Sequence, residues 1–297
     1  MRLSDYVGNT PLIPIEFGGY TVWGKAEFMN PSGSVKDRMA TYILNDAEHK
    51  GLIKKGDTLV EATSGNTGIA FAMLAAERGY KIYIIMPSNM SEERKSMFKF
   101  YGARLIEVGE GDFDEAIRVR NEMCDKMGWF NCNQFHNPWN IEAHYNNTGP
   151  ELANQITRNG AVDFDVPDVF VAGTGTGGTI MGCGGYLKTL WPDIKIVAVE
   201  PAESPVMSGG QQGRHGIQGI GDGSKFLVDM NFVDEIKTVK TICAKTIAKY
   251  LALKKGLFVG ISAGANVKAA FEWLRDNDKK HAITILCDRG ERYISCL

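Results

Sequence analysis

The sequence contains little that would place it outside the class of globular α/β proteins. Its 297 residues carry a formal net charge of −2, with lysine and arginine scattered along the chain, so no basic surface for nucleic acid or a membrane is indicated. The first residues, MRLSDYVGN, lack the apolar core of a signal peptide, and no apolar run approaches membrane-spanning length. These absences predict a cytoplasmic protein with no nucleic-acid partner and no membrane partner.

Cysteine and metal signatures are equally scarce. None of the six cysteines forms a CxxC pair, and no histidines accompany them at metal-binding spacing. In a chain of this length we expect reduced thiols, mostly in the core, and no bound metal. The sequence also has no internal repeat and no low-complexity linker.

Short β-rich runs alternate with helical patterns along most of the chain. Several runs are continuous stretches of Val, Ile and Leu, which are typical of strands buried on both faces of a parallel sheet. The predicted strands are 21–28, 57–62, 81–87, 104–109, 168–173, 195–201 and 282–288. Helical patterns span 68–79, 90–102 and 263–277. This alternation predicts a doubly wound α/β fold with ligands at the carboxyl ends of its strands.

The first of three strand-to-helix loops reads EATSGNTG at 61–68. Its glycines let a ligand approach the backbone, and a helix N-terminus favours an anion. Its hydroxyl and amide groups belong to Thr63, Ser64, Asn66 and Thr67. The lysine of a nucleotide-binding loop is missing, so a small carboxylate fits better than a triphosphate. A capped helix without any ligand remains the alternative.

The second loop reads GTGTGGT at 173–179, after the apolar strand DVFVAG. Its glycines fit G-x-G-x-x-G, and Glu200 ends a strand 22 residues after Gly178, as in a dinucleotide site. The hydroxyls of Thr176 and Thr179 suit a single phosphate monoester equally well. A dinucleotide domain would leave about the first 160 residues unexplained, so phosphate binding is the stronger prediction. NAD-dependent oxidoreduction stays as a remote alternative.

Two further features complete a set of cofactor contacts. The third loop, VGISAGAN at 259–266, places Ser262 at a strand end, as a ligand contact or as a plain helix cap. Lys36 follows the turn NPSGS in the first turn of a predicted helix, where the helix dipole disfavours a cation. Pyridoxal phosphate needs such a set, because its aldehyde takes a lysine, its phosphate a helix N-terminus and its ring nitrogen one partner.

Seven segments, in order and at matching spacing, resemble the O-acetylserine sulfhydrylase (cysteine synthase) family of cystathionine β-synthase-like, fold-type II pyridoxal phosphate enzymes. They are VGNTPL (7–12), NPSGSVKDR (30–38), EATSGNTG (61–68), GTGGT (175–179), GGQQGRHGIQGIG (209–221), GISAGA (260–265) and GERY (290–293). The resemblance implies two doubly wound parallel-sheet domains with the active site between them. A small N-terminal domain is expected at 40–140, and a larger cofactor-binding domain at 1–39 and 141–297.

The resemblance also implies roles for individual residues. Lys36 matches the Schiff-base lysine that later moves the α-proton, Asn66 the partner of the cofactor's phenolic oxygen, and Ser262 the partner of its pyridine nitrogen. The phosphate cup is matched by Gly175, Thr176, Gly177, Gly178 and Thr179. Groups near the substrate carboxylate are matched by Thr63, Ser64, Gly65, Thr67 and Gln134. The segment that approaches the substrate's β-substituent contains Gly219.

The implied activity is β-replacement, which forms L-cysteine from O-acetyl-L-serine and sulfide through an aminoacrylate intermediate. A homodimer and a serine acetyltransferase partner are implied as well. A neutral hydroxyl at Ser262 cannot hold the ring nitrogen protonated as an aspartate would, and this favours β-elimination over transamination.

The sequence does not determine which substrate the enzyme uses, and three residues bear on that question. GGQQGRHGIQGIG is similar to the A-type enzymes, whereas CDRGERY is similar to the B-type, in which a cysteine such as Cys287 stands near the cofactor. Cys287 is otherwise a core thiol, and Asp222 is either a solvated loop residue or a group that orients water or a nucleophile. Arg214 is a candidate for binding an anionic leaving group of the substrate. The alternatives are therefore enzymes that act on cysteine or serine, releasing hydrogen sulfide and forming serine or a thioether, or making cystathionine.

Overall fold

The computed structural model describes residues 1–90, 92–157, 162 and 164–296. Ten strands lie in these residues: β1 (Leu12–Phe17), β2 (Tyr20–Lys25), β3 (Thr58–Ala62), β4 (Lys81–Pro87), β5 (Arg104–Val108), β6 (Phe130–Asn131), β7 (Val169–Gly173), β8 (Lys195–Pro201), β9 (Glu235–Val239) and β10 (His281–Ile285). The same residues contain nine α-helices: α1 (Lys36–His49), α2 (Asn66–Arg78), α3 (Glu92–Phe100), α4 (Phe113–Met127), α5 (Trp139–Ala143), α6 (Gly149–Thr157), α7 (Gly178–Leu190), α8 (Thr241–Lys255) and α9 (Ile261–Asn277).

Contacts along the chain divide it into two compact units. Unit 1 comprises Met1–Val7 and Lys36–Asn140, and unit 2 comprises Gly8–Val35 and Ile141–Leu297. The domain ranges derived from the sequence, 40–140 against 1–39 with 141–297, stay a prediction. Each unit has its own sheet and its own helices, and the two are described separately below.

Unit 1 contains a four-stranded sheet in the order β5-β4-β3-β6, and all three strand pairs are parallel. The central strand β4, KIYIIMP, buries side chains on both faces, as its continuous apolar run predicts. Residues from β3, β4 and α4 share one hydrophobic cluster. The carboxyl end of β3 leads through three residues into α2, which places the EATSGNTG segment at the edge where parallel sheets bind ligands.

Unit 2 contains a six-stranded sheet in the order β1-β2-β10-β7-β8-β9. The pair β1–β2 is antiparallel and the other pairs are parallel. Alternate residues of β7 enter different cores: Phe170 packs in one hydrophobic cluster and Val171 in another. The central strands are therefore buried on both faces, and the predicted doubly wound parallel fold is confirmed, with β1 as an antiparallel edge strand.

Loops at the carboxyl edge of this sheet carry the remaining predicted site residues. The strand β7 leads into α7 through Thr174–Gly177, and residues 203–224 after β8 contain no helix or strand, as expected from their glycine content. Gly219 and Gly221 have φ values of +91° and +74°, a left-handed conformation that glycine adopts without strain. Glycine at these two positions therefore lets the chain turn there.

Across the described residues, no helix combines the length and the apolar character that crossing a membrane requires.

Candidate active site

The loop between β3 and α2 in unit 1 brings together most of the residues predicted to bind a carboxylate. The backbone N–H of Gly65 donates to Thr63 Oγ1 over 3.3 Å, and no side chain caps the helix at Gly65. Gly68 has no room for a side chain, because a Cβ there would lie 2.8 Å from Phe98 Cε1. Thr63 and Thr67 are buried, whereas Ser64, Gly65 and Asn66 are half-buried. The loop thus presents backbone and short polar side chains at a helix N-terminus, which suits an anion.

Gln134 is joined to this loop although it lies far away in the sequence. Thr67 Oγ1 donates to Gln134 Oε1 at 2.5 Å, and Gln134 Nε2 donates to the carbonyl of Ala62 at 3.3 Å. Asn140 Nδ2 also donates to the Gln134 carbonyl over 2.9 Å. Gln134 is 4% exposed, so its amide is fixed against the carboxylate loop in a nearly dry environment. The structure therefore brings Gln134 together with Thr67, as their predicted common role requires.

A buried ion pair that the sequence reasoning missed supports this arrangement. Glu61 is fully buried, and its carboxylate accepts the backbone N–H groups of Gln134 at 3.0 Å and of Ala62 at 2.9 Å. Arg120 of α4 lies 3.4 Å from the same carboxylate and is also buried. Burial raises the pKa of Glu61, and the charge of Arg120 opposes that shift. The sequence signal for this pair is the acidic residue Glu61 inside an otherwise apolar strand. A buried carboxylate is tolerated there only with a partner.

Lys36 is the first residue of α1 and is half-buried. The preceding turn depends on Gly33, whose φ is +91° and whose N–H donates to the Asn30 carbonyl at 2.8 Å. An ammonium group at a helix N-terminus faces the positive end of the helix dipole, which favours the neutral amine. This position therefore suits a lysine that reacts as a nucleophile or base.

The loop from β7 to α7 in unit 2 contains the predicted phosphate cup. Gly177 has φ of +91° and precedes α7 without a side-chain cap. A Cβ on Gly177 would lie 2.6 Å from Val228 Cγ2, and one on Gly175 would lie 2.6 Å from the Gly219 carbonyl oxygen. Thr176 is 4% exposed and Thr179 is half-buried. Only a backbone without side chains at these glycines can follow this path between the neighbouring segments to the start of the helix.

These features fit a bound phosphate ester. A phosphate takes hydrogen bonds from backbone N–H groups and hydroxyls at a helix N-terminus, and glycines let it approach closely. The uncapped start of α7, the crowded glycines and the threonine hydroxyls supply that donor set. The phosphate of pyridoxal phosphate therefore has a suitable cradle in unit 2.

Glu200 does not take the role that a dinucleotide site would give it. Its carboxylate accepts the backbone N–H groups of Met207 at 2.8 Å and Ser208 at 3.0 Å, and the Ser208 hydroxyl at 2.5 Å. Glu200 is 2% exposed and thus fixes the start of the glycine-rich segment after β8. Glu200 therefore anchors a loop instead of marking a ribose contact. Only the G-x-G-x-x-G spacing is left in support of the NAD alternative.

Ser262 is the second residue of α9 and is 3% exposed. One helical turn later, Asn266 is fully buried, and its Nδ2 donates to the Ile285 carbonyl at 2.9 Å and contacts Cys287 Sγ at 3.5 Å. Cys287 lies two residues after the end of β10 and is half-buried. The two sequence-predicted residues therefore stand near the carboxyl edge of the sheet, and Asn266 connects their two elements.

The segment around Gly219 lies against the phosphate loop, whereas Arg214 is exposed. Gly221 donates its N–H to the Thr174 carbonyl at 2.9 Å. Asp222 Oδ2 lies 3.1 Å from the position that a Cβ on Gly175 would occupy. Asp222 is exposed as a whole residue, and one oxygen of its carboxylate borders the loop. Asp222 and Gly219 are thus brought next to the predicted cup.

The cysteines are free thiols in the described residues, and burial raises the pKa of Cys124 and, far more, that of Cys132. Among the described residues, no group of three or more His, Cys, Asp or Glu side chains could hold a metal ion.

Comparison with known proteins identifies the family. Residues 3–288 match the family described as pyridoxal-phosphate dependent enzyme. A cysteine synthase of Staphylococcus aureus is 40% identical over 303 residues, covering 99% of this chain and 95% of that protein. A cysteine synthase B of Campylobacter jejuni is 42% identical over 302 residues, covering 99% of this chain and 97% of that protein. The chain belongs to the family of pyridoxal-phosphate dependent enzymes.

A solved structure agrees with this assignment. The hydrogen sulfide-producing enzyme of Fusobacterium nucleatum superposes with a TM-score of 0.92 and 37% identity, covering 99% of this chain and 90% of that one. The predicted resemblance, the fold-type II architecture, the enzyme class and the cofactor pyridoxal phosphate are therefore confirmed.

Proposed function

We propose that this chain is a cysteine synthase that replaces the acetoxy group of O-acetyl-L-serine with sulfide, giving L-cysteine and acetate. The observation that carries the proposal is the full-length similarity to cysteine synthases, with 99% of this chain covered at 40% identity. The carboxylate loop of unit 1 and the phosphate loop of unit 2 support it, because an amino-acid substrate and a phosphorylated cofactor need both.

In this proposal Lys36 attaches the cofactor, and its neutral amine then removes and later returns the proton at the substrate Cα. Pyridoxal phosphate, when bound, supplies the electron sink that makes this Cα–H bond acidic. The start of α1 favours the neutral amine, since the helix dipole opposes a positive charge there. Lys36 thereby serves as both nucleophile and general base.

The substrate carboxylate is assigned to the loop at Thr63, Ser64, Gly65 and Thr67, with Gln134 beside it. Support comes from their position at the start of α2, where backbone N–H groups favour an anion. The Thr67 hydroxyl donates to Gln134, so Thr67 would reach the carboxylate through its backbone N–H. Asn66, at the start of α2, is assigned to the cofactor's phenolic oxygen. Holding the carboxylate rigidly orients the Cα–H bond and raises the rate of proton removal.

The cofactor itself is assigned to two loops of unit 2. Residues 175–179 bind its phosphate with backbone N–H groups and the hydroxyls of Thr176 and Thr179. Ser262, which is buried at the start of α9, pairs with its ring nitrogen. A hydroxyl has no negative charge to keep that nitrogen protonated, and this limits side reactions such as transamination.

A second candidate function is hydrolysis of L-cysteine to L-serine and hydrogen sulfide. It is favoured by Asp222, whose Oδ2 lies 3.1 Å from where a Cβ of Gly175 would stand, and by similarity to a hydrogen sulfide-producing enzyme. A carboxylate at that point would orient a water molecule for addition at the substrate Cβ and accept its proton. Arg214 and Cys287 stay candidates for specificity.

A substrate panel distinguishes the two candidates. The purified enzyme receives O-acetylserine with sulfide, O-phosphoserine with sulfide, serine with a thiol, or cysteine alone, and products are quantified by mass spectrometry and a sulfide electrode. We expect cysteine and acetate from the first mixture at the highest kcat/KM. If cysteine alone is turned over to serine and hydrogen sulfide more efficiently, the second candidate replaces the first.

Asp222→Asn provides the matched control for that panel. Under the leading proposal, cysteine formation from O-acetylserine changes by less than about threefold, because no proton of that reaction is assigned to Asp222. Under the second candidate, release of hydrogen sulfide from cysteine falls by about a hundredfold or more, as expected when a general base is removed.

Three further properties, predicted from the composition or from the family resemblance, belong to the same proposal. They are a cytoplasmic location, assembly as a homodimer, and docking of a serine acetyltransferase. Size-exclusion chromatography with light scattering tests the dimer, and co-elution with the acetyltransferase tests the partner.

A further inference from the structure

A buried histidine stands directly behind the proposed phosphate cup. His144 is 1% exposed and begins a π-helical turn, His144–Thr148, between α5 and α6. Its Nε2 lies 3.2 Å from Thr179 Oγ1, and its Nδ1 lies 3.0 Å from Thr148 Oγ1. A π-helical turn is a rare and costly local structure that is frequent at functional sites. Neither the sequence motifs nor the assigned mechanism gives His144 a role.

Close packing of two backbones creates this arrangement. A Cβ on Gly182 of α7 would lie 2.5 Å from His144 Cβ and would also collide with the Ile141 carbonyl oxygen. A Cβ on Gly149 would lie 2.6 Å from Tyr186 Cβ. Glycine at both positions therefore lets α7 approach the π-helical turn closely enough for the imidazole to reach Thr179.

Hydrogen-bond direction determines what this contact does. A hydroxyl carries one proton, and a phosphate dianion accepts hydrogen bonds without donating any. Thr179 can give its proton to a phosphate only if its other hydrogen bond is one that it accepts, from an N–H at His144 Nε2. In the neutral imidazole with a proton on Nε2, Nδ1 is unprotonated and accepts a hydrogen bond from the Thr148 hydroxyl. In the other tautomer Nε2 would accept the Thr179 proton, and the cup would lose a donor.

We infer that His144 is a positioning residue that directs the Thr179 hydroxyl proton toward the cofactor phosphate, with Thr148 holding the imidazole in the Nε2–H tautomer. The inference rests on the proposed role of Thr179 in the phosphate cup. It assigns the relay Thr148 to His144 to Thr179, in which each group donates to the next and the last donates to the phosphate. His144 thus acts on the phosphate through Thr179 and not by a contact of its own.

Cofactor affinity tests this relay without measuring catalysis. Cofactor-free full-length enzyme is titrated with pyridoxal phosphate, and separately with pyridoxal, which lacks the phosphate, and dissociation constants are read from absorbance. His144→Asn and Thr179→Val are each expected to weaken pyridoxal phosphate binding about tenfold, the effect of one hydrogen bond to a charged group. Pyridoxal binding should change less than about twofold, because it does not use the cup.

A double variant separates a relay from two independent contacts. If His144 acts through Thr179, His144→Asn combined with Thr179→Val should bind pyridoxal phosphate no more than about threefold more weakly than either single variant. Effects that multiply to about a hundredfold would overturn the inference. Equal weakening of pyridoxal and pyridoxal phosphate by His144→Asn would also overturn it, since that result indicates a merely structural role.

Two conservative variants complete the experiment if His144→Asn does not fold. His144→Gln places an amide N–H near the position of Nε2 and should keep affinity within about threefold of the parent. Thr148→Val removes the donor to Nδ1. It should weaken pyridoxal phosphate binding although Thr148 reaches the cup only through His144. No change in Thr148→Val would overturn the relay. The substrate panel is independent of these constants, so failure of the proposed function and failure of this inference give different results.

Discussion

At the scale of single residues, Glu61 and Arg120 show how buried charge supports the proposed carboxylate loop. The Glu61 carboxylate accepts two backbone N–H groups and faces the Arg120 guanidinium at 3.4 Å, and neither side chain reaches solvent appreciably. Removing one partner of such a pair leaves an uncompensated charge, which is more costly than removing both. The pair fixes the backbone of Gln134, so its integrity bears on substrate binding as well as on stability.

We predict that Arg120→Met lowers the free energy of unfolding by about 3 kcal/mol at neutral pH, because Glu61 stays buried without its counter-charge. Denaturant unfolding followed by far-ultraviolet circular dichroism measures this. The matched control is Arg118→Met on the same helix, whose exposed ion pairs should contribute less than about 1 kcal/mol.

The pH dependence of the Arg120→Met variant has a definite sign. Burial raises the pKa of Glu61 in the folded state, and losing Arg120 raises it further. The folded variant then binds a proton more readily than the unfolded chain, so its stability falls as pH rises from about 4.5 toward the raised pKa. The deficit relative to the parent should be smaller at pH 5 than at pH 8. A deficit independent of pH would contradict the account, as would an equal deficit in the Glu61→Gln, Arg120→Met double variant.

The Cys132 thiol yields a second prediction at this scale. Cys132 is fully buried, and burial raises its pKa well above the ordinary value, which suppresses the reactive thiolate. In the folded enzyme at pH 7.5, iodoacetamide should therefore label half-buried Cys296 while Cys132 is still unmodified. Peptide mass spectrometry measures both positions, and labelling in denaturant is the control. Equal rates at the two cysteines in folded protein would show that the prediction is wrong.

At the scale of secondary-structure elements, hydrophobic patterning predicted every interior strand and the edge strand β5, and it missed the edge strands β1, β6 and β9. Seven predicted strands are present, with boundaries shifted by a few residues. The strand β1 contains Pro14 and pairs at an antiparallel edge, and β9 is a partly exposed edge strand, so neither has a continuous apolar run. The predicted strand 21–28 ends at Lys25 because Glu27–Met29 forms a 3-10 turn. The third missed strand, β6, has only two residues, which is too short for any periodic pattern.

Helix α7 offers a prediction in which two glycines of one helix respond oppositely to the same substitution. Gly182→Ala should be destabilising and weaken cofactor binding, because its Cβ would meet His144 Cβ at 2.5 Å and the Ile141 carbonyl. Gly185→Ala should be neutral or stabilise the fold by up to about 1 kcal/mol, because its Cβ would lie 3.5 Å from Tyr145 Cδ2 and alanine favours a helix. Thermal unfolding of both variants, with and without pyridoxal phosphate, measures the difference. Similar melting temperatures for the two variants would contradict the packing described for α7.

At the scale of the whole molecule, sequence motifs were enough to predict the class of enzyme. They did not predict the contacts that support the site. The glycine and threonine loops are local, so EATSGNTG and GTGGT could be interpreted from spacing and from helix N-termini. The partners of Glu61 and His144 lie 59 and 35 residues away along the chain, and nothing in the local sequence indicates them. Such contacts follow from the packing of helices on sheets.

One measurement directly tests whether Lys36 is the lysine that attaches the cofactor. The holoenzyme is reduced with sodium borohydride, digested, and analysed by mass spectrometry for a pyridoxyl group on lysine. We predict modification of Lys36 and loss of the label, together with the yellow colour, in Lys36→Ala. A pyridoxyl group on any other lysine, or retained label in Lys36→Ala, would contradict the account.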